Sequence, residues 1–173
     1  MTFQENLQVG RTGESLISKW LRKRNYHVLP VYEIEIQSGK GPRLFSPGRE
    51  LIAPDMLAFD GVHTLWIEAK HKTAFSWHRL TQCWTTGIDV RHYQDYCEVD
   101  QITPFDVWLL FLQRGGQAKD SPERSPSGLF ANSLQHLRLH ENHRSNNWGK
   151  TGMVYWSINE LKLIATLETL KKL

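Results

Sequence analysis

The sequence predicts an α/β fold in which one mixed β-sheet of about five strands is flanked by helices. Three observations lead there: a helical pattern near the start, two strand-like segments joined by a short turn, and an apolar strand-like segment after a second helical pattern. The chain has 173 residues, 40% of them apolar, which is enough to bury one core without disulfides or metal. We therefore expect a single domain over residues 1–173.

The first helix is predicted from Thr12, a favourable N-cap, to about Arg24. Apolar residues recur along it at helical spacing, at Leu16, Ile17, Trp20 and Leu21. Residues 26–36 are rich in β-branched and aromatic side chains, which predicts a strand. Residues 37–50 contain three glycines and two prolines, which predicts a loop.

Two strands are predicted next, at 55–59 and 64–69, because Asp60-Gly61 between apolar segments is a strong hairpin signal. A second helix is predicted over 77–99, with a bend at Gly87. Its apolar face would consist of Trp77, Leu80, Trp84 and Ile88.

The remaining elements complete the sheet. Residues 106–113 predict a buried strand, and 114–128 are rich in Gly, Pro, Ser and charge, which predicts a mobile loop. Residues 152–156 predict another strand, and a last helix is predicted over 160–171, capped by Asn159. The predicted order is therefore αβββαβ with a closing β-α.

The charge balance permits a nucleic-acid partner. The formal net charge is +3 and the pI about 8.9. Basic residues crowd the first helix and the loop after it, although a solvated surface is the simpler explanation for either group: Lys19, Arg22, Lys23 and Arg24, then Lys40, Arg43 and Arg49. We expect no membrane span, because no apolar run approaches twenty residues. We expect no secretory signal, because the first fourteen residues lack an apolar segment. Two cysteines among 173 residues fit a reducing cytosol.

Three residues suggest chemistry: Asp55 at the start of one hairpin strand, with Glu68 and Lys70 at the end of the other. Side chains alternate along a strand, so Glu68 and Lys70 share a face, and the hairpin brings Asp55 beside them. Carboxylate oxygens are the ligands that Mg²⁺ prefers, and the carbonyl of Ala69 could add another. A nearby ammonium could orient water or neutralise charge that develops on a phosphate.

Glu14 adds a third acid. It lies three and seven residues before Ile17 and Leu21, so it shares the inward face of the first helix. A carboxylate there is unfavourable unless a cation compensates it. The alternative is that Asp55 is a turn residue and that Glu68 and Lys70 form an ordinary ion pair on an edge strand.

With these residues in place, the chain resembles the PD-(D/E)XK nuclease superfamily. The match consists of Pro54-Asp55, then Glu68-x-Lys70 thirteen residues after the aspartate, with Glu14 at the position of the family's first-helix acid. The predicted element order over about residues 11–113 also agrees. The resemblance implies a restriction-endonuclease-like core, with Glu14, Asp55, Glu68 and the Ala69 carbonyl as ligands for Mg²⁺ or Mn²⁺ and Lys70 as the catalytic cation.

Further residues are secondary candidates. The resemblance implies a polar residue near the scissile phosphate at Gln82, on the predicted second helix, although a solvated helix face is equally compatible. Lys72 shares the side of Lys70, and with Arg79, Lys40 and Arg43 it is a candidate phosphate contact. His136, His140 and His143 have the spacing of a helical zinc site, but a basic or solvent-facing cluster is the simpler explanation. Tyr93 and Tyr96 could stack on bases or pack in the core.

We therefore expect an endonuclease, dependent on Mg²⁺ or Mn²⁺, that hydrolyses DNA and acts on structured or branched DNA. The alternative is a non-catalytic nucleic-acid-binding or assembly subunit with the same fold. RNA stays open as a substrate because the chemistry is the same. The resemblance also implies a homodimer, and we expect a cytoplasmic, bacterial or phage-encoded protein.

Overall fold

The structure is a computed structural model that describes residues 3–31, 41–147 and 151–173, with side chains from Gly10 onward. The helices are α1 (Phe3–Arg22), α2 (Val90–Ile102), α3 (Leu134–Leu139) and α4 (Leu167–Lys171), with a 3₁₀ turn at Ile158–Glu160. The strands are β1 (His27–Pro30), β2 (Arg43–Ser46), β3 (Arg49–Ile52), β4 (Met56–Phe59), β5 (Thr64–Lys72), β6 (Ser76–His78), β7 (Cys83–Asp89), β8 (Asp106–Arg114), β9 (Ser127–Ser133), β10 (His143–Ser145), β11 (Met153–Ser157) and β12 (Lys162–Ala165).

A six-stranded mixed sheet is the centre of the described structure. Its strand order is β1-β4-β5-β8-β9-β12, in which β5 and β8 are parallel and the other neighbours are antiparallel. A second, four-stranded antiparallel sheet has the order β10-β11-β7-β6, and β2 pairs with β3. The predicted α/β class, with a central mixed sheet flanked by helices, is confirmed, and the sheet has six strands rather than about five.

The central sheet separates two hydrophobic cores. Ile67 and Ala69 of β5 pack with α1, where Ile17 is fully buried. The neighbouring Trp66 lies in the other core, with α2, α3 and the four-stranded sheet. Strand β8 is apolar at every central position because helices or strands cover both of its faces. The charged side chains of β5 lie in its second half, from Glu68 onward.

The hairpin predicted at Asp60-Gly61 is present. Strands β4 and β5 pair with Met56 opposite Ile67 and Phe59 opposite Thr64. The Asp60 carboxylate accepts hydrogen bonds from the backbone N–H groups of Val62 and His63, at 3.0 and 2.7 Å. These bonds close the turn and fix the register that places Asp55 beside the end of β5.

The helix predicted over 77–99 is wrong in its first half. Residues 76–78 and 83–89 are strands β6 and β7, and α2 begins only at Val90. Trp77 lies opposite Trp84 across this hairpin, with ring centroids 5.0 Å apart, while Leu80 at its tip is almost fully exposed. Gly87 does not bend a helix; it allows β11 to approach, because a Cβ there would lie 2.2 Å from the Val154 carbonyl oxygen.

The last predicted helix is also partly wrong. Residues 162–165 form β12 at the edge of the central sheet, and α4 occupies only 167–171. Asn159 lies inside the 3₁₀ turn, so it does not cap a long helix. Strand β9 was missed because its short apolar stretch follows residues rich in Gly, Pro and Ser. The predicted mobility of 114–128 stays a prediction, although 114 and 127–128 belong to strands.

The beginning of the chain differs from the prediction as well. Helix α1 starts at Phe3, so Thr12 is inside the helix and is not its N-cap. Strand β1 covers only 27–30 of the strand predicted at 26–36, and residues 32–36 lie outside the described part. The loop predicted over 37–50 contains the β2–β3 hairpin, while 37–40 are also outside that part.

Two glycines of α1 test its position and extent. A Cβ at Gly13 would lie 2.7 Å from the His71 Cβ on β5, whereas the nearest atom to a Cβ at Gly10 is a Glu14 oxygen at 4.0 Å. We expect Gly13→Ala to destabilise the fold by about 1–3 kcal/mol, because helix and strand must separate. We expect Gly10→Ala to stabilise it by up to about 1 kcal/mol, because alanine favours a helix interior. Urea unfolding of the two variants measures both effects.

These variants control for each other, since each makes the same chemical change on one helix. A neutral Gly10→Ala variant would place the helix start near Thr12, and a neutral Gly13→Ala variant would contradict the close packing of α1 on β5.

Candidate active site at the end of the central hairpin

Asp55, Glu68 and Lys70 meet at the end of the β4–β5 hairpin. Asp55 immediately precedes β4, and one of its oxygens accepts a hydrogen bond from the Ala69 backbone N–H at 2.8 Å. Because the N–H and carbonyl of a strand residue point towards the same neighbour, the Ala69 carbonyl faces the same edge. Two side-chain acids and one backbone oxygen are therefore close together beyond the start of β4.

Glu68 is the deeply buried member of this cluster. Its side chain is 1% exposed and forms an ion pair with the Lys70 ammonium. The Tyr96 hydroxyl of α2 also faces the Glu68 carboxylate, and burial followed by this carboxylate raises the pKa of Tyr96 well above its ordinary value. The Lys70 side chain is 28% exposed, so a ligand can reach the cluster from solvent.

Glu14 reaches the cluster from α1. Its side chain is half-buried, one helical turn before the buried Ile17. Burial first, and then the Glu68 carboxylate, raise the pKa of Glu14, while Lys70 lowers it. The structure therefore brings Glu14 into electrostatic contact with the hairpin residues, as the spacing along the first helix predicted.

The cluster holds more negative than positive charge. Burial, followed by Glu68, raises the pKa of Asp55 well above its ordinary value, despite the opposing effects of Lys70 and the Ala69 N–H. Burial alone would lower the pKa of Lys70, but the Glu68 and Asp55 carboxylates outweigh it, and the pKa of Lys70 is raised. Lys70 is therefore an ammonium at neutral pH, and one ammonium faces three acids.

This donor set fits a hard divalent cation. Burial first, and then the Glu68 carboxylate, raise the pKa of Glu14 and of Asp55, and such an ion would stabilise the charged form of both. Mg²⁺ needs few protein ligands because it keeps several waters. In the described part of the chain, the ligand oxygens of Glu14, Asp55 and Glu68 do not all lie within 4.8 Å of one another. Among the described residues, the His, Cys, Asp and Glu ligand atoms that all lie within 4.8 Å of one another belong to a different group, His136, His140 and Glu160.

Lys72 lies on the same side of β5 as Lys70. Its ammonium donates to the Gly87 carbonyl at 3.0 Å, and burial together with the Lys70 charge lowers the pKa of Lys72 to about 8. Opposite Lys72 on β8 is the fully buried Gln113, whose amide donates to the Thr86 hydroxyl. The Lys72 ammonium is thus held by a backbone hydrogen bond on the same side of β5 as Lys70. Its role as a phosphate contact stays a prediction.

The helical placement predicted for Gln82 is wrong. Gln82 is exposed in the β6–β7 turn with a positive φ of 47°, so it does not lie on a helix. Five residues of extended chain, roughly 16 Å, separate Gln82 from Gly87, the residue that contacts Lys72. The physical reason for placing Gln82 at the scissile phosphate is therefore removed.

The other predicted phosphate contacts are dispersed. Arg79 is in the same turn as Gln82, largely exposed, 3.4 Å from the Asp120 carboxylate. Arg43 pairs with Glu50 across the β2–β3 hairpin at 2.6 Å and is mostly buried. Lys40 lies outside the described residues. None of these positions tests binding, so their roles stay predictions.

Two residues of α2 were missed as members of the site. Tyr96 was predicted to be core or base-stacking, and it is a core residue whose hydroxyl interacts electrostatically with Glu68. His92 is the other: burial and then the Lys70 charge lower its pKa, and Glu68 raises it. Sequence offered little signal for either, because α2 and β5 meet only through tertiary packing.

Comparison with known proteins supports the fold. No protein-family model and no curated protein sequence matches this chain. A solved structure that does match is Hjc of Archaeoglobus fulgidus, a Holliday junction resolvase from an archaeal hyperthermophile, with a TM-score of 0.50. The match covers 87% of this chain and 90% of Hjc at 10% sequence identity. The chain therefore has a restriction-endonuclease-like α/β fold.

Among its described residues, no helix combines the length and apolarity needed to cross a membrane.

The raised pKa of Asp55 predicts how the free energy of unfolding depends on pH. The folded state binds this proton more tightly than the unfolded state, so stability falls as pH rises from about 3.8 through the higher folded pKa. At pH 7 to 8 without divalent ions, we expect Asp55→Asn to stabilise the protein by on the order of 1 kcal/mol. Urea unfolding at several pH values measures the difference, which should widen as pH rises.

Asp89 is the matched control. Burial opposes ionisation there, but hydrogen bonds from the Thr151 hydroxyl and the Arg91 N–H prevail and lower the pKa of Asp89. Asp89→Asn should therefore destabilise the protein, by a few tenths to about 1 kcal/mol, since Asp89 caps α2. A loss of stability in Asp55→Asn as large as that in Asp89→Asn would contradict the charge excess at the candidate site.

Proposed function

We propose that this protein is a divalent-metal-dependent endonuclease of the PD-(D/E)XK type that hydrolyses phosphodiester bonds in DNA. The observation that carries the proposal is the meeting of Asp55, Glu68 and Lys70 at a partly exposed end of the central hairpin. Glu14, Asp55, Glu68 and the Ala69 carbonyl would hold Mg²⁺ or Mn²⁺. Such an ion supplies Lewis-acid polarisation of the phosphate and activation of water.

Lys70 would act as a cation rather than as a base. Because its pKa is raised, it keeps its proton at neutral pH. Its ammonium would balance the negative charge that develops on phosphate oxygens as the bond from water to phosphorus forms and the bond to the leaving oxygen breaks. Glu68, which is buried and paired with Lys70, would hold that ammonium in place.

Tyr96 would have a positioning role. Its hydroxyl is buried against Glu68, and its raised pKa keeps it protonated, so it can donate a hydrogen bond to this carboxylate. A hydrogen bond to one carboxylate oxygen restricts the rotation of the Glu68 carboxylate. The other oxygen is then held towards the ammonium or the metal.

Branched DNA is the proposed substrate. The fold shared with the Hjc resolvase supports it. The proposal includes one nuclease domain over 1–173 with a mobile loop at about 114–128, a homodimer that cuts two strands, and a cytoplasmic site of action in a bacterial or phage-infected cell. RNA is a second substrate to be tested, since its phosphodiester backbone offers the same metal chemistry.

Cleavage of a four-way DNA junction tests the proposal. We expect cutting with Mg²⁺ or Mn²⁺ and none with a chelator. Asp55→Asn and Lys70→Ala should each reduce the rate by at least about a hundredfold, because each removes a charge that stabilises the transition state. The assay should include linear duplex, single-stranded DNA and an RNA junction, and sedimentation should give the oligomeric state.

Glu168→Gln is the control for these substitutions, because Glu168 is an exposed acid paired with Lys172 far along the chain. Cleavage that persists at the wild-type rate in Asp55→Asn and Lys70→Ala would refute the site. Tight junction binding without any cleavage would favour the alternative of a non-catalytic binding or assembly subunit.

A further inference from the structure

A second cluster of metal-binding side chains lies apart from the candidate active site. It consists of His136 in α3, His140 at the C-cap of α3, and Glu160 in the 3₁₀ turn after β11. One ligand atom from each lies within 4.8 Å of the other two. His136 Nε2 is 2.9 Å from a Glu160 carboxylate oxygen, and the two imidazole rings are stacked with centroids 4.2 Å apart.

The hydrogen bonds of the two histidines leave one ring nitrogen of each available to bind a metal. His140 Nδ1 lies 2.8 Å from the His136 backbone carbonyl, which can only accept, so this nitrogen carries the proton. In the neutral imidazole of His140, Nε2 then has a lone pair to offer. A backbone carbonyl that holds the other ring nitrogen is the usual support of a metal-binding histidine. At His136, a metal would take the place of the proton shared with Glu160.

The elements that carry the three ligands are held firmly. The Ser133 hydroxyl caps α3, and the fully buried Trp156 donates to the Leu137 carbonyl in the same helix. The Asn132 amide donates to the backbone carbonyl of Glu160 at 2.7 Å. Little reorganisation is therefore needed to bring the ligands onto an ion, which favours binding.

We propose that His136, His140 and Glu160 form a Zn²⁺ site. Two imidazoles and one carboxylate are a ligand set that zinc accepts in tetrahedral geometry, with water in the fourth position because His140 is exposed. The same set is a poor one for Mg²⁺, which prefers oxygen ligands. The site does not depend on the nuclease proposal.

The ion would join two parts of the fold. Helix α3 follows β9 of the six-stranded sheet, and the 3₁₀ turn connects β11 of the four-stranded sheet to β12 of the six-stranded sheet. A metal bridging them would bind the folded state and not the separated segments, so it would stabilise the packing of α3 against this turn. His143 takes no part, because it stacks between His78 and Tyr155 on the four-stranded sheet.

Calorimetric titration of the full chain with ZnCl₂ tests the site. To remove any contribution from the acids at the hairpin, the titration uses Asp55→Asn as the background. We expect one Zn²⁺ per chain, undisturbed by excess Mg²⁺, and a rise of several degrees in the melting temperature. His136→Ala and His140→Ala should each weaken Zn²⁺ binding at least tenfold and abolish the thermal shift.

His63 provides the matched control. It also pairs with a carboxylate, that of Asp60 at 3.3 Å, but no second histidine is part of that pair. His63→Ala should bind Zn²⁺ as the background does. Glu160→Gln keeps the shape of the third ligand and should weaken binding if circular dichroism shows it folded like the background. Equal Zn²⁺ binding by the background, His136→Ala and His140→Ala, or no binding by the background, would overturn the proposal.

Discussion

The packing of β5 between two cores is the constraint on which the rest of the structure depends. On one face Ile67 and Ala69 are buried against α1, and on the other Trp66 is buried against α2. Since side chains alternate along a strand, this double burial fixes the register of β5 to the residue. A slip by one residue would bury Lys70 against α1 and remove Glu68 from Tyr96. The hydrophobic cores thereby determine where the polar chemistry lies.

The candidate active site works against the stability of the fold. Glu68 is buried with a compensating ammonium, but Asp55 and Glu14 have raised pKa values because burial and neighbouring acids disfavour their charges. A protein selected only for folding would gain from replacing these acids with neutral side chains. A group of acids with raised pKa values beside a partly exposed ammonium is typical of a binding or catalytic site. This is why the convergence of acids supports function more strongly than the motif does.

The two metal sites inferred here differ in chemistry and in purpose. The acids at the hairpin offer hard oxygen ligands beside Lys70, whose side chain is partly exposed, which suits an ion that exchanges waters with a substrate. The imidazoles of His136 and His140 lie on α3 and at its end, and Glu160 lies on the turn between β11 and β12. An ion there would contribute to the arrangement of the fold rather than to hydrolysis. Ligand type therefore favours different metals at the two places.

The sequence by itself determined what depends on neighbouring residues. Asp55, Glu68 and Lys70 could be placed together because a hairpin turn and strand alternation are local rules. It did not determine the segment after β5: apolar residues at 77, 80, 84 and 88 fit a helical period, yet this stretch forms two strands because tertiary pairing with β11 outweighs local spacing. Only the tertiary structure decided that Tyr96 faces Glu68 and that Glu160 meets His136, since packing alone brings together residues 24 or more positions apart.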